Sequence, residues 1–426
     1  MSPVRVGLLG CGNVGAALVR LLTDEPDALA GRTGLRFEVT RVAVRNLARE
    51  RSVELPPGCL THDADAVVDD PEVDVVVELI GGIEPARRLI LAALKQGKPV
   101  ITANKELLAN VGAELFEAAA TAGVDLLYEA SVAGGIPLIR PLRESLAGER
   151  ITRVMGIVNG TTNYILTRMT EEGASYGEAL SEAQSLGYAE RDPTADVEGF
   201  DAGAKAAILA SIAFGVPVVA GDVYREGISG VTPADIDVAR RLGYVVKLLA
   251  IAERIDSKVA VRVHPAMIPS THPLASVRDS FNAVFIEGDA VGELMLYGRG
   301  AGGKPTASAV LGDLVDAAHN LRTGGSGRTG TLRDGDIVAV DELSSQFYLN
   351  LDVVDRPGVL AAVATVFGEH GVSIRSMEQE GLGDEARLVF ITHTARERDV
   401  QSTLAGLRHL DAVKRIGSLL RVIGPE

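Results

Sequence analysis

Residues 4–15 read V-R-V-G-L-L-G-C-G-N-V-G, an apolar, strand-like run that leads directly into a glycine-rich turn. The turn has the spacing G-x-G-x-x-G and opens a stretch, residues 14–22, whose apolar spacing predicts a helix. In this context the first glycine permits the tight turn, the second lets the backbone approach a pyrophosphate, and the third lets helix and strand pack closely. The pattern predicts a dinucleotide site formed by Gly10, Gly12, Asn13, Val14 and Gly15, and a merely structural turn is the alternative.

Strand-like and helix-like segments alternate from this turn to residue 130. Further strands are predicted at 37–44, 73–80, 99–103 and 124–130, and helices at 85–96 and 106–122. This rhythm is typical of the α/β class, with a parallel sheet covered by helices on both faces. We expect a Rossmann-type NAD(P)-binding domain over residues 1–130. A helix at about 303–322, preceded by the glycine-rich stretch from residue 298, is expected to complete it.

The rest of the chain changes character twice. Residues 131–300 mix helices and strands without the regular alternation, which favours a separate α+β domain. A Gly-, Ser- and Thr-rich stretch at 323–340 is typical of a linker. Residues 341–426 then follow the order βαββαβ, which predicts a ferredoxin-like domain.

An arginine follows the second predicted strand. An enzyme that prefers NAD usually carries an acid at this point to hold the ribose 2′-OH, whereas an arginine suits a 2′-phosphate. Arg45, with Arg49 as a possible second cation, therefore favours NADP(H), while NAD(H) stays possible. A surface arginine at a strand end is the alternative.

Composition limits the partners and the compartment. The net charge of −15 argues against a nucleic-acid or anionic-membrane surface, which would need a basic patch. Two cysteines, Cys11 and Cys59, indicate a reducing compartment without a disulfide framework. No apolar run is long enough to span a bilayer, and the N-terminus lacks a signal-peptide layout. We expect a soluble cytoplasmic protein.

The search for catalytic groups leads to lysines and carboxylates. Cys11 lies inside the predicted cofactor turn, Cys59 lies in a predicted surface loop, and the seven histidines show no zinc spacing. Hydride transfer to a carbonyl needs a proton donor, which lysines and carboxylates can provide. Lys105 lies at the carboxyl end of a predicted parallel strand, where ligands bind in open α/β sheets.

An acidic segment precedes the second candidate lysine. Residues 189–205 read A-E-R-D-P-T-A-D-V-E-G-F-D-A-G-A-K. Asp201 and Lys205 are four residues apart, so they share one face of a helix, and the residues around the lysine are apolar. The alternatives are an ordinary surface ion pair here and, at Lys105, a surface lysine at a helix start.

Several long motifs together resemble homoserine dehydrogenases, continuously over about residues 1–322, and D-R-P-G-V-L-A-A-V (355–363) resembles an ACT domain. The motifs are G-C-G-N-V-G (10–15), E-L-I-G-G-I-E-P-A (78–86), T-A-N-K-E-L-L-A (102–109), Y-E-A-S-V-A-G-G-I-P (128–137), G-I-V-N-G-T-T-N-Y-I-L (156–166), G-Y-A-E-R-D-P-T-A-D-V-E-G-F-D-A-G-A-K (187–205) and G-R-G-A-G-G-K-P-T-A-S-A-V (298–310). The resemblance implies that L-aspartate 4-semialdehyde is reduced to L-homoserine with NAD(P)H, on the way to threonine, methionine and isoleucine.

The resemblance also implies residue roles. Glu190 and Asp201 would bind the substrate's amino group and hydroxyl side, and Lys205 would be the proton donor. Lys105 would contact both cofactor and substrate, so that Lys205, Lys105 and Asp201 form the catalytic set. The nicotinamide end would lie against two glycines, Gly187 and Gly303.

Three further properties follow only from the resemblance. A monovalent cation, usually sodium, would be held by Glu129 and by backbone oxygens of Val132, Gly134 and Ile136. The ACT domain would bind an amino-acid effector, L-threonine above all, near Asp355, Arg356 and Gly358, and removing residues after about 340 would then abolish threonine sensitivity. A purely oligomerising module is the alternative. Residues 131–300 would form the substrate-binding, catalytic and dimerisation domain, and a homodimer or homotetramer is expected. The competing hypotheses are another NAD(P)-dependent amino-acid dehydrogenase and a non-catalytic sensor of NADP and amino acids.

Overall fold

The computed structural model describes residues 2–326, 332–333, 335–381 and 383–424, so residues 327–331 and 334 of the predicted linker lie outside the described residues. The strands are β1 (Val4–Leu9), β2 (Phe37–Ala43), β3 (Leu60–Thr61), β4 (Val75–Glu78), β5 (Val100–Thr102), β6 (Leu126–Leu127), β7 (Ile151–Ile157), β8 (Tyr224–Arg225), β9 (Tyr244–Ile255), β10 (Lys258–Pro269), β11 (Phe281–Gly288), β12 (Gly292–Arg299), β13 (Ser344–Val354), β14 (Ile374–Gly381), β15 (Glu385–Thr392), β16 (Ala395–Arg396) and β17 (Val413–Val422). The helices are α1 (Asn13–Thr23), α2 (Pro26–Thr33), α3 (Ala64–Asp69), α4 (Ala86–Lys95), α5 (Lys105–Ala122), α6 (Gly160–Glu172), α7 (Tyr176–Ser185), α8 (Thr194–Val197), α9 (Phe200–Phe214), α10 (Pro233–Arg241), α11 (Gly303–Thr323), α12 (Val359–Glu369) and α13 (Glu397–Arg408).

The chain forms two compact units, each built from separate stretches. The first comprises Met1–Val154, Ala204–Val223 and Asn282–Gly335, and the second comprises Met155–Gly203, Tyr224–Phe281 and Asp336–Glu426. Helix α9 begins in the second unit and continues into the first.

The first unit contains a six-stranded parallel sheet in the order β3-β2-β1-β4-β5-β6. The chain runs from β1 to β2 and β3 on one side of the sheet, and then from β4 to β6 on the other side of β1. The strand order therefore reverses between β1 and β4, and ligands bind at such a switch point. Apolar residues of β1, α1 and α11 share one core, including Leu8, Leu18 and Leu314. Full burial of each leucine contributes about 1.5–3 kcal/mol. The predicted parallel-sheet domain is confirmed, and α11 contributes to its core.

The second unit contains a long antiparallel hairpin, β9–β10, and the complete βαββαβ segment. Strand β17 pairs in parallel with β10 at Ala266 and Arg421, and antiparallel with β13. Strands β15 and β14 follow in antiparallel order, so β14 is the edge strand of this sheet. Helices α12 and α13 pack on the same core, through Val363, Phe367 and Leu404. The predicted ferredoxin-like fold is confirmed, and its sheet continues that of the hairpin.

No helix among the described residues is long and apolar enough to cross a membrane.

Candidate active site

The glycine-rich turn has the geometry that a pyrophosphate requires. Gly10 has a φ of +99°, and a Cβ there would lie 2.7 Å from the backbone oxygen of Leu79. A Cβ at Gly15 would lie 2.6 Å from the Gly10 oxygen, whereas a Cβ at Gly12 would have no neighbour within 4 Å. Gly10 and Gly15 are therefore needed for packing, while Gly12 faces open space at the N-terminus of α1. The amides of that helix end have no side-chain cap and suit an anionic phosphate.

The N-terminus of α11 lies beside this turn. A Cβ at Gly303, the first residue of α11, would lie 3.0 Å from the backbone oxygen of Asn13. The preceding residue, Gly302, has a φ of +114°. The structure thus brings Gly303 to the predicted dinucleotide turn, although about 290 residues separate them in the chain.

A buried hydrogen-bond network positions Lys105. The Glu78 carboxylate at the end of β4 accepts hydrogen bonds from Thr102 Oγ1 (2.6 Å) and from two backbone amides of the following loop. Thr102 Oγ1 accepts the amide of Asn104 (3.0 Å), and the Asn104 side chain caps α5 at Leu107 and donates to Gly82 O. Lys105 is the first residue of α5 and is half-buried. The network fixes it at the carboxyl edge of the sheet.

Three arginines follow β2. Arg45 and Arg49 are exposed, so a 2′-phosphate at the protein surface could reach either guanidinium group. Arg51, which the sequence analysis missed, donates to the backbone oxygens of Asn46 (2.6 Å) and Arg49 (2.8 Å) and so folds this loop. Arg20 of α1 donates to the backbone oxygen of Ser52, so this loop lies against the helix that follows the glycine-rich turn.

Asp201 is held by a buried network in the second unit. Asn159, the N-cap of α6, donates from Nδ2 to Asp201 Oδ2 (2.9 Å) and Asp196 Oδ1 (2.7 Å). Thr161 Oγ1 donates to Tyr188 O (2.6 Å) and to Asp196 Oδ2 (3.2 Å). Asn159 and Thr161 therefore join the acidic segment to α6. Neither residue is among those predicted from the sequence, although an asparagine directly after a strand and before a helix is a recognisable cap signal.

Lys205 lies one turn after Asp201 on α9. Lys205 is only 8% exposed, as is Asp201. Two residues of a surface ion pair would be far more exposed, so that alternative does not describe Asp201 and Lys205. The flanking residues on the helix, Ala202, Ala206 and Ala207, are buried and apolar.

The loop before Asp192 presents the other two predicted residues. Gly187 has a φ of +75° just after α7, and Glu190 is exposed. The backbone oxygen of Glu190 accepts a hydrogen bond from Gln184 Nε2 (3.1 Å), which fixes the main chain while leaving the carboxylate toward solvent.

A buried lysine, Lys247 of β9, is hydrogen-bonded to α6. Lys247 Nζ donates to Asn163 Oδ1 (2.9 Å) and to Val277 O (2.5 Å), and Asn163 Nδ2 donates to Asp279 O and Phe281 O. Burial lowers the pKa of Lys247 to about 8. The main chain of residues 277–281 is thus hydrogen-bonded to α6 at Asn163, which lies four residues after the Asn159 cap.

Residues 129–136 form a tightly curled loop in the first unit. The Glu129 carboxylate accepts three backbone amides, those of Leu138, Ile139 (2.8 Å) and Arg140 (2.8 Å). Ala133 and Gly134 both have positive φ, +56° and +55°. A Cβ at Gly134 would lie 2.4 Å from Gly300 O. Val132 and Ile136 are buried within the same loop.

The predicted effector residues surround a cleft in the βαββαβ segment. Asp355, Arg356 and Gly358 follow β13, and they line a cleft of about 330 Å³ together with Gln379 of β14 and Leu388 of β15. Gly358 has a φ of +89° and precedes α12, whose N-terminus has no side-chain cap. Asp355 Oδ2 would lie 3.6 Å from a Cβ at Gly381, so the carboxylate reaches toward the edge strand.

The parallel sheet, the glycine-rich turn at its switch point and the buried lysine next to a networked carboxylate define a nicotinamide-nucleotide-dependent dehydrogenase. The βαββαβ segment adds a ferredoxin-like domain with a cleft beside Asp355.

Comparison with known proteins narrows this class. Family models match as "Homoserine dehydrogenase, NAD binding domain" over residues 10–129, "Homoserine dehydrogenase" over 137–315 and "ACT domain" over 347–408. The homoserine dehydrogenase of Corynebacterium glutamicum is 51% identical over 99% of this chain and 96% of its own. The chain belongs to the homoserine dehydrogenase family and is an NAD(P)-dependent oxidoreductase that acts on a CH–OH group.

Solved structures agree. A homoserine dehydrogenase from Thiobacillus denitrificans is 43% identical with a TM-score of 0.94 and covers 99% of both chains. A hyperthermophilic archaeal homoserine dehydrogenase in complex with NADPH is 29% identical with a TM-score of 0.64, and the match covers 78% of this chain and all of the other.

Proposed function

We propose that the enzyme reduces L-aspartate 4-semialdehyde to L-homoserine with Lys205 as the proton donor. The observation that carries the proposal is the burial of Lys205 one turn after Asp201, whose carboxylate is held by the buried Asn159. Because Lys205 is buried one helical turn from a carboxylate that is itself held in place, its ammonium group would be oriented before substrate arrives, which is what a proton donor to a developing alkoxide needs.

Each residue then has one task in the reaction. Glu190 binds the substrate's ammonium group, and Lys105 contacts both substrate and cofactor. Gly187 and Gly303 would lie against the nicotinamide end of the bound cofactor, which would supply the hydride. The Lys205 ammonium donates a proton to the aldehyde oxygen, so that aldehyde, NAD(P)H and one proton give alcohol and NAD(P)⁺. Asp201 orients the Lys205 ammonium and lies on the side of the substrate where the hydroxyl group forms.

The test is NADPH oxidation with L-aspartate 4-semialdehyde, with L-homoserine identified as product by mass spectrometry. We expect turnover with this aldehyde and reverse activity with L-homoserine. Turnover confined to a different amino aldehyde would favour another amino-acid dehydrogenase, and binding of NADPH without turnover of any aldehyde would favour a sensor.

The arginines after β2 support a preference for NADP(H) over NAD(H). Arg45 is exposed just after β2, Arg51 holds the backbone of the same loop, and Arg20 of α1 donates to Ser52 O in that loop. The archaeal relative in complex with NADPH shows that such a scaffold accepts this cofactor in another member of the family.

Replacing Arg45 with alanine should therefore raise the KM for NADPH by about tenfold or more, because a charge-assisted hydrogen bond to a phosphate is lost. The KM for NADH should stay within about twofold of wild type. Arg32→Ala, at an exposed arginine at the end of α2, is the control and should change neither value. Equal effects on the two cofactors would refute the role of Arg45.

We also propose that the 129–136 loop holds a sodium ion. The Glu129 carboxylate is already engaged by three backbone amides, so Glu129 would contribute its backbone oxygen beside those of Val132, Gly134 and Ile136. Oxygen donors of this kind suit a hard cation such as sodium, and the curled backbone at Ala133 and Gly134 fits such a cradle. The ion would stiffen the loop and supply no reactive group.

The ACT domain is proposed to bind L-threonine in the cleft beside Asp355. The uncapped N-terminus of α12 suits the carboxylate of an amino acid, and Asp355 suits its ammonium group.

Asp355→Ala should raise the L-threonine concentration for half-inhibition at least about tenfold while leaving kcat and both KM values unchanged, because one charged contact to the effector is lost. The control is Asp411→Ala, at an exposed acid of the same domain. Unaltered inhibition of Asp355→Ala would remove this cleft as the effector site.

A homodimer or homotetramer is proposed on the evidence of β12. Leu294, Met295 and Tyr297 of this strand expose 36%, 38% and 52% of their side chains, an apolar surface that a second copy would cover.

A further inference from the structure

The short segment Tyr224–Ile228, here called the bridging segment, lies against the acidic segment that carries Asp196 and Asp201. Ile228 N donates to Val197 O (2.8 Å), and a Cβ at Gly227 would lie 2.4 Å from Val197 O. The contact is therefore so close that only glycine fits at position 227.

The same segment also contacts the start of α9. The Arg225 guanidinium lies 4.8 Å from the ring centroid of Phe200, which directly precedes Asp201. A Cβ at Gly203 would lie 2.7 Å from Arg225 Cδ, and one at Gly199 would lie 3.4 Å from Glu226 O. A shift of the bridging segment would therefore displace the turn between Asp196 and Asp201.

The opposite side of the bridging segment is held by a single arginine of the C-terminal ACT domain. Arg421 of β17, only 1% exposed, donates to the carboxylates of Glu226 and Glu397 and lies near the hydroxyl of Tyr224. The Tyr224 hydroxyl donates to Glu226 as well. Glu397 belongs to α13 of the ACT domain, so Arg421 joins that domain to the bridging segment.

The backbone leaves this segment little freedom to move alone. Tyr224 and Arg225 pair with Arg262 and Val263 of β10, and Glu226 N donates to Val263 O (2.8 Å). Strand β10 in turn pairs with β17 at Arg421. The ACT strand, the bridging segment and the acidic segment are thus in continuous contact, and coupling between sites is carried by such packed and hydrogen-bonded chains.

We propose that Arg421 and Glu226 are positioning residues for the reduction of the substrate. Through the bridging segment they hold the turn that carries Asp196 and Asp201, so a residue of the ACT domain sets the affinity of the catalytic domain for its aldehyde substrate. This inference rests on the proposed function, because it takes that turn to be part of the substrate site.

The test is Glu226→Ala in the full-length enzyme, without effector. This variant is chosen because Glu226 is partly exposed, and because Arg421 keeps its pairing with Glu397. We expect the KM for L-aspartate 4-semialdehyde to rise about tenfold, the KM for NADPH to stay within about twofold, and Glu226→Gln, which keeps the hydrogen-bond acceptor, to restore most of the loss.

Tyr348→Phe is the matched control. Tyr348 also joins the ACT domain to the catalytic domain, by donating to Asp235 Oδ1 (2.9 Å). Asp235 lies on α10 and not in the bridging segment, so the Tyr348→Phe enzyme should keep the wild-type KM for L-aspartate 4-semialdehyde. An unchanged aldehyde KM in Glu226→Ala, or a parallel rise in both KM values, would overturn the inference while leaving the proposed function intact. A wild-type enzyme without turnover of L-aspartate 4-semialdehyde would instead overturn the proposed function, and the inference with it.

Discussion

Lys205→Ala should lower kcat for L-aspartate 4-semialdehyde reduction by roughly 10²- to 10⁴-fold, the usual contribution of a positioned general acid. The affinity for NADPH should stay within about twofold, because the dinucleotide contacts are proposed to be made by the glycine-rich turn and by Arg45. The measurement is steady-state kinetics with NADPH binding by fluorescence titration. Alanine suits this position on α9, whose neighbours are alanines.

The control is Lys95→Ala, at an exposed lysine at the end of α4. It should leave kcat unchanged. A Lys205→Ala enzyme that turns over at the wild-type rate would remove Lys205 as the proton donor, and a matching loss of NADPH binding would point to a folding defect instead.

Asp201→Asn should lower kcat by roughly 10- to 150-fold, because a hydrogen bond between charged groups contributes about 1.5–3 kcal/mol. The substitution removes the charge but keeps an oxygen that accepts the hydrogen bond from Asn159 Nδ2, so the network around α6 persists. Kinetics at saturating NADPH, with the thermal midpoint measured in parallel, separates lost chemistry from lost stability.

Asp192→Asn is the matched control within the same segment. Its carboxylate is exposed and accepts hydrogen bonds only locally, from Thr194 Oγ1 (2.7 Å) and the Thr194 amide. Its kcat should be that of wild type. Similar losses in both variants would mean that the segment responds to any change of charge, and Asp201 would lose its specific role.

The parts of the fold that sequence predicts best are those fixed by local geometry. The G-x-G-x-x-G turn is recognisable because a Cβ at Gly15 would meet the backbone oxygen of Gly10 within the motif itself, whereas the constraint on Gly10 comes from Leu79 and Ile80. The βαββαβ order was readable from apolar periodicity alone. The boundaries of short strands were not, since β6 and β8 have only two residues each, too few for any periodic pattern.

Site residues whose partners are distant in the chain could not be predicted from the sequence. Asn159 and Thr161 lie within the motif at 156–166, yet their partners, Asp196, Asp201 and Tyr188, are 27–42 residues away. A cap signal places an asparagine at a helix start without indicating which acid its amide group reaches. Likewise, no local pattern predicts the hydrogen bond from Arg20 of α1 to the backbone oxygen of Ser52, because it forms only once the loop after β2 is folded.

The C-terminal domain illustrates the same limit at a larger scale. Its sequence suggests a separable regulator that can be removed after about residue 340. In the structure, removal would expose the edge of β10 and leave Glu226 and Asp235 without Arg421, Tyr348 and Asn350. Point substitutions such as Asp355→Ala are therefore cleaner tests of threonine sensitivity than truncation, because they leave this buried interface in place.

The most direct test of the proposed reaction compares L-aspartate 4-semialdehyde with succinic semialdehyde, which has the same chain and aldehyde but no ammonium group. If Glu190 binds that group, wild-type kcat/KM should favour the amino aldehyde by roughly 10- to 150-fold, and Glu190→Gln should lose most of this preference. A wild-type enzyme that reduces both aldehydes equally well, or a preference that survives in Glu190→Gln, would contradict the proposed substrate site.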